Sequence, residues 1–90
     1  MKTIDLSLYG LDLSGREFGQ EVYQSIIKDR PIQFDFSRIG SIGSSFADEV
    51  IGKISNENGG QVAIKGANRI VKKCLMDMAE DLKIEITFIV

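Results

Sequence analysis

The sequence predicts a single α/β domain over residues 1–90, with about four strands in a mostly parallel or mixed sheet and three helices, ordered β-α-β-α-β-α-β. Three observations carry this. Four segments alternate apolar and polar residues with the period of two that a strand requires. The three segments between them place apolar residues at i, i+3 and i+4, the stripe of a helix buried along one side. Short clusters of Gly, Ser and Asn separate the segments, and nothing reads as a linker or an internal repeat. Ninety residues suffice for one hydrophobic core but not for two.

Taken in order, Thr3 to Tyr9 reads as a strand with Ile4, Leu6 and Leu8 on its apolar face. Gly10 to Leu13 reads as a connection. Ser14-Gly15-Arg16-Glu17 has the spacing of a capping box, in which Ser14 and Glu17 bond each other's backbone N–H. The first helix then buries Phe18, Val22 and Ile26, with Tyr23 and Ile27 beside them. It stops near Asp29, because Pro31 disfavours helical geometry at Arg30. A second strand sets Ile32, Phe34 and Phe36 on one face, and Arg38 to Ser45 supplies turn residues.

The second helix begins at Phe46 and buries Phe46, Ala47, Val50, Ile51 and Ile54. Ser45 is its expected N-cap, paired with Asp48 three residues on, and Ser44 precedes it. Gly52 costs this helix about 0.5–1 kcal/mol relative to alanine, which marks either close packing or a flat spot for a partner. Asn56 to Gly60 is a stop, with Gly59 or Gly60 left-handed. Gln61 to Lys65 is a third strand. Asn68 then caps a third helix, Arg69 to Asp81, which buries Ile70 or Val71, Cys74, Leu75, Met78 and Leu82. The last strand alternates Ile84, Ile86, Phe88 and Val90. Polar alternation in the outer strands leaves one sheet face partly uncovered.

Composition narrows the chemistry. A net charge of −2 gives no general attraction to nucleic acid or to anionic membranes. No apolar run approaches the ~20 residues that span a bilayer, and the N-terminus shows no signal-peptide pattern. One cysteine, Cys74, makes no internal disulfide and fits a reducing cytoplasm. The chain has no histidine, which removes Ser-His-Asp and Cys-His catalysis, phosphohistidine transfer and an ordinary zinc site. Asp48 and Glu49 are adjacent on a helix, about 100° apart, and do not converge as an acid–base or metal-binding pair. Nothing in the sequence calls for a catalytic group, a metal or a cofactor.

The candidate functional stretch is the turn and helix start from Ser41 to Glu49. Ser44 and Ser45 are phosphoacceptor candidates, because free N–H groups and the positive dipole end at a helix start tolerate a phosphate. Ser41, Phe46, Asp48 and Glu49 are the partner-binding candidates around them, although Phe46 also reads as core. Asp48 and Glu49 suit a first turn on charge alone, and Glu49 is four residues from Lys53, an expected ion pair on a solvated face. The third helix carries Arg69, Lys72 and Lys73 early and Asp77, Glu80 and Asp81 late, against its dipole. This is either an ordinary solvated face or a functional one. In a parallel sheet Lys65, Asn68 and Arg69 lie at the same edge as Ser44, available to a phosphate or an acidic partner.

Phe34 to Ile54 resembles STAS domains, the fold of anti-sigma-factor antagonists, in its strand, serine turn and helix. Gly43-Ser44-Ser45-Phe46 keeps the serine pair, while Gly43 replaces the family's acidic residue and Phe46 its glycine. The sequence is more similar to a STAS-like family of unknown function. That family carries the signature Phe46-Ala47-Asp48-Glu49, with Asp35-Phe36 before it and Asn68 after the third strand. The likeness runs from about Leu13 to Met78. It implies a bacterial, cytoplasmic, non-enzymatic regulatory module, monomeric or weakly dimeric. Its implied partner is a histidine-kinase-like ATPase acting as a serine kinase, or an anti-sigma-like protein, with Ser44 as the modified residue. The alternative is a small enzyme or a nucleotide- or phosphate-binding domain using the Ser44/Ser45 helix start. A subunit pairing through its open sheet face is a third reading.

Overall fold

A parallel strand pair needs a crossover, and consecutive right-handed crossovers advancing in one direction lay every helix on the same side of the sheet. That arrangement is realised here. The computed structural model describes residues 3–29 and 33–89. In chain order it contains β1 (Thr3–Asp5), β2 (Asp12–Leu13), α1 (Arg16–Ile26), β3 (Gln33–Asp35), β4 (Ser41–Ile42), α2 (Ser44–Ala47), α3 (Lys53–Glu57), β5 (Gln61–Lys65), α4 (Arg69–Leu82) and β6 (Glu85–Ile89). A π-helical segment, Asp48–Gly52, joins α2 to α3, so residues 44–57 form one continuous rod. The main sheet is ordered β1-β3-β5-β6, and all its pairs are parallel.

Register aligns Ile4, Phe34, Ile64 and Phe88 in one row beneath the helices. Ile4, Phe34 and Ile64 are buried there with Phe46, Val50, Ile51, Val71 and Leu75. The opposite face is mostly polar: Thr3, Asp5, Gln61, Lys65, Glu85 and Thr87 are exposed on it, with Ile89 beside Lys65 at its edge. The predicted stop at Pro31, the placement of Ile32 and the end of the last strand at Val90 lie outside the described residues.

Several local expectations change. The first strand stops at Asp5, and Leu6–Tyr9 is a 3₁₀ turn. The Asp5 carboxylate accepts hydrogen bonds from the Ser7 N–H at 3.0 Å and the Ser7 hydroxyl at 2.7 Å, which curls the chain out of the sheet. Leu6 stays buried, but Leu8 is 80% exposed. Neither predicted capping box forms. The N-caps are Gly15 and Gly43, without side-chain caps, and Ser44 and Ser45 are the first two residues of their helix. The predicted connection at Asp12–Leu13 is strand β2, which pairs in parallel with β4. Gly43 donates its N–H to the Leu13 carbonyl at 2.7 Å, and a Cβ on Gly43 would sit 3.1 Å from the Ser14 Cβ. The backbones meet too closely there for a side-chain cap.

Both Gly59 and Gly60 are left-handed. In α4 the alternative resolves to Val71, buried, with Ile70 66% exposed. Leu75 and Met78 are buried as expected, whereas Cys74 is half-buried and Leu82 is 46% exposed. Gly52 belongs to the close-packing case: a Cβ there would lie 2.9 Å from Leu82 Cδ1.

Candidate functional site

α1, the 44–57 rod and α4 all begin at the edge formed by the C-terminal ends of β1, β3 and β5. Side-chain turns start two of the connections. Asp5 binds Ser7, and Asp35 likewise accepts from the Ser37 N–H at 2.9 Å and hydroxyl at 2.5 Å. Those two bonds hold the Asp35 carboxyl below its ordinary value, with the Lys65 and Arg38 charges adding to them. Gly66 turns the third connection with φ +73°, and a Cβ there would collide with Ser37.

The connections are then tied to one another. The Gly40 N–H donates to the Leu11 carbonyl at 2.8 Å, and the Ser41 hydroxyl donates to Asp12 Oδ1 at 2.9 Å. Asn68 caps α4 by accepting from the Val71 N–H at 2.8 Å. Its amide nitrogen donates to the Ile39 and Gly40 carbonyls at 3.0 and 3.1 Å. Two adjacent loops are thus fixed through one side chain, and the start of the rod is held at a rigid edge.

At that edge Ser44 is exposed, while Ser45 is half-buried and Phe46 is fully buried, its ring 5.5 Å from that of Phe18. The neighbouring carboxylates part company. Glu49 has a side chain only 8% exposed, with Arg16 Nη1 2.8 Å from Oε1 and Lys53 Nζ 2.6 Å from Oε2. Gln20 adds a longer contact at 3.5 Å. Lys53 and Arg16, in that order, hold the Glu49 carboxyl below its ordinary range against the cost of burial. The expected Glu49–Lys53 pair therefore exists, with its carboxylate buried between helices and both of its cations half-exposed rather than the whole pair lying on a solvated face. The π-helical segment that carries Glu49 inserts an extra residue per turn, a distortion frequent at functional positions.

Asp48 points the other way, into an open groove of ≈ 520 Å³ between the rod and α4. Ser44, Ile70, Lys73, Cys74, Asp77, Met78 and Asp81 complete its lining. Burial, then the Asp77 and Asp48 charges, pushes the Cys74 thiol above its ordinary value.

Of the sequence candidates, only Ser44 and Asp48 meet at this groove. Ser41, Asn68 and Glu49 are engaged in the bonds just described, and Phe46 offers no surface to a partner. Lys65 faces the open side of the sheet beside Asp35, and Arg69 borders a neighbouring hollow with Lys72 and Met76. Neither lines the groove at Ser44. Sequence reasoning missed the α4 wall of the groove. Its signal was a second apolar stripe, Ile70-Cys74-Met78-Leu82, beside the buried Val71-Leu75 pair. Among the described residues no three Cys, Asp or Glu side chains converge to hold a metal, and no helix is long and apolar enough to cross a membrane.

A family model described as a STAS-like domain of unknown function matches residues 18–72. The chain belongs to that STAS-like family. No curated protein and no solved structure matches it. The STAS-like match runs from α1 through the rod and β5 to the first turn of α4. It includes Ser44, Asp48, Glu49, Lys53 and Ile70, while Arg16 and the groove residues from Lys73 to Asp81 lie outside the matched segment.

Proposed function

We propose that this STAS-like domain is a non-enzymatic regulatory module that binds a protein partner at the edge where the 44–57 rod begins, and that phosphorylation of Ser44 switches the binding. One observation carries the reading. Ser44 is the exposed hydroxyl at a helix start that no side chain caps, on loops tied rigidly together, while Ser41 and Ser45 are bonded or half-buried. A phosphate of roughly −1.5 to −2 charge is accommodated by free N–H groups and the dipole at such a position. Resemblance to anti-sigma-factor antagonists supports a histidine-kinase-like ATPase as the partner and the kinase. Once added, the phosphate disrupts an apolar or acidic partner face by desolvation cost and like-charge repulsion, which drives release.

The test is a pull-down from host lysate with wild type, Ser44→Ala and Ser44→Glu as baits, with mass spectrometry of Ser44. Retrieval of one ATP-binding protein by wild type and Ser44→Ala, and its loss with Ser44→Glu, supports the switch. The same partner on all three baits removes Ser44 from the mechanism, and no partner on any bait removes the module reading.

A further inference from the structure

The groove between the rod and α4 extends beyond Ser44. A second hollow shares Asp48 and continues past Gly52 and Asn56 to Leu82. Along α4 the apolar wall repeats every four residues, Ile70, Cys74, Met78 and Leu82, a face about 18 Å long at 1.5 Å per residue. Two of these side chains, Ile70 and Leu82, are large and exposed, at 66% and 46%, and they sit at the two ends of one continuous stripe. The rims are acidic. Asp48 stands on the rod side, Asp77 and Asp81 on the α4 side, and the one ammonium in the main hollow, Lys73, lies 3.4 Å from Asp77. At the far end Arg16 and Lys53 direct their charges to Glu49. In the main hollow an apolar floor lies between three carboxylates and a single ammonium, which is complementary to a helix with an apolar stripe and basic flanks.

We propose that this groove docks a basic amphipathic helix of a partner protein. The helix lays its apolar stripe on Ile70, Cys74 and Met78, and its Lys or Arg side chains reach Asp48, Asp77 and Asp81. The inference rests on the reading of this domain as a protein-binding module, but not on modification of Ser44. A negative charge at Ser44, at the head of an acidic groove, leaves the affinity for a basic helix unchanged or raises it.

The probe is a fluorescent helix-forming peptide of about 15 residues with a leucine stripe flanked by lysines, compared with the same peptide carrying glutamates. The lysine peptide binds the purified domain and the glutamate peptide does not. Binding weakens by about tenfold or more in Asp77→Lys/Asp81→Lys, and again when salt rises from about 0.05 to 0.5 M. Bound peptide also protects Cys74 from alkylation in the wild-type protein, a readout that needs no variant. Equal binding by both peptides, equal affinity of the variant, or no binding and no protection at about 1 mM overturns the proposal. So does a concentration-dependent dimer of the peptide-free domain that the same variant dissolves, because the groove is then filled by a second copy. Since the probe is read on purified protein, its failure is distinguishable from loss of the lysate partner with Ser44→Glu.

Discussion

On the α1 flank of the 44–57 rod, Glu49 is buried between Arg16 and Lys53, Phe46 packs on Phe18, and Lys53 lies 5.1 Å from the Tyr23 ring centre. On the α4 flank, one residue away in sequence, Asp48 faces solvent over a half-buried thiol and an exposed isoleucine. The first flank spends its charge on the fold: a buried carboxylate is tolerable only because two cations meet it. The second leaves its carboxylates and apolar atoms unspent. Adjacent acidic residues therefore say little about function until the neighbour each one faces is known, and the open flank is where binding belongs.

Two glycines offer the largest break in this comparison. At Gly19, on the closed flank, an added Cβ would lie 2.9 Å from Glu49 Cβ and 3.3 Å from Phe46 Cα. Both are anchored to the backbone, so the helices must separate. At Gly52, packed closely on the α4 side of the rod, the obstacle is the tip of the part-exposed Leu82 side chain, which has room to give way. Alanine gains about 1 kcal/mol over glycine in a helix, whereas overpacking costs about 1–3 kcal/mol. Gly19→Ala should therefore be a net loss and Gly52→Ala neutral or a gain. For a domain of this size a gap of about 2 kcal/mol separates their melting temperatures by about 10 °C. Equal melting temperatures would mean that the two flanks are packed alike.

Protonation of Glu49 tests the closed flank more gently. Its carboxyl is held below the ordinary value of 4.5, so the stability it contributes is fully present above that value. That contribution is lost as pH falls from there through the folded value. Glu49→Gln should melt lower than wild type at pH 7, and the difference should shrink steadily in acid. Asp35, also held low, titrates in both proteins and cancels from the comparison. A difference that persists unchanged to pH 3 would assign the effect to shape rather than to charge.

The order of strands and helices was legible because each segment's periodicity matches the surface it buries: Ile4, Phe34, Val62 and Ile64 beneath, Val22, Val50 and Leu75 above. Local features that depend on a distant partner were not. Ser14 and Ser45 look like N-caps in isolation, yet Gly15 and Gly43 take those places because β2 and β4 pair side by side. That ladder of two residues per strand leaves no periodic trace in the sequence. Ser44 and Asp48 were visible as the start of a helix. The wall they face was hidden because Cys74 and Leu82, spaced as core residues, lie at the margin of the core rather than in it.

The smallest effect reads the charge on the open flank directly. Cys74 is raised first by burial, then by Asp77 and Asp48. Only the thiolate is alkylated, so its rate at fixed pH reports that field. Asp77→Asn removes one carboxylate and also releases the Lys73 ammonium from its pair, and both changes favour the thiolate. Alkylation by iodoacetamide at pH 8 should speed up by less than about tenfold, within one pKa unit. The gain should fade in high salt, because Asp77 is solvent-screened. Glu49→Gln, whose charge is neutralised by Arg16 and Lys53 and which does not line the hollow that holds Cys74, should leave the rate unchanged under conditions where it is fully folded. If both variants speed the reaction equally, the acceleration comes from loosened packing, and the two flanks do not differ electrostatically at the groove floor. If only Asp77→Asn does, the carboxylates that face the groove are felt by whatever lies in it.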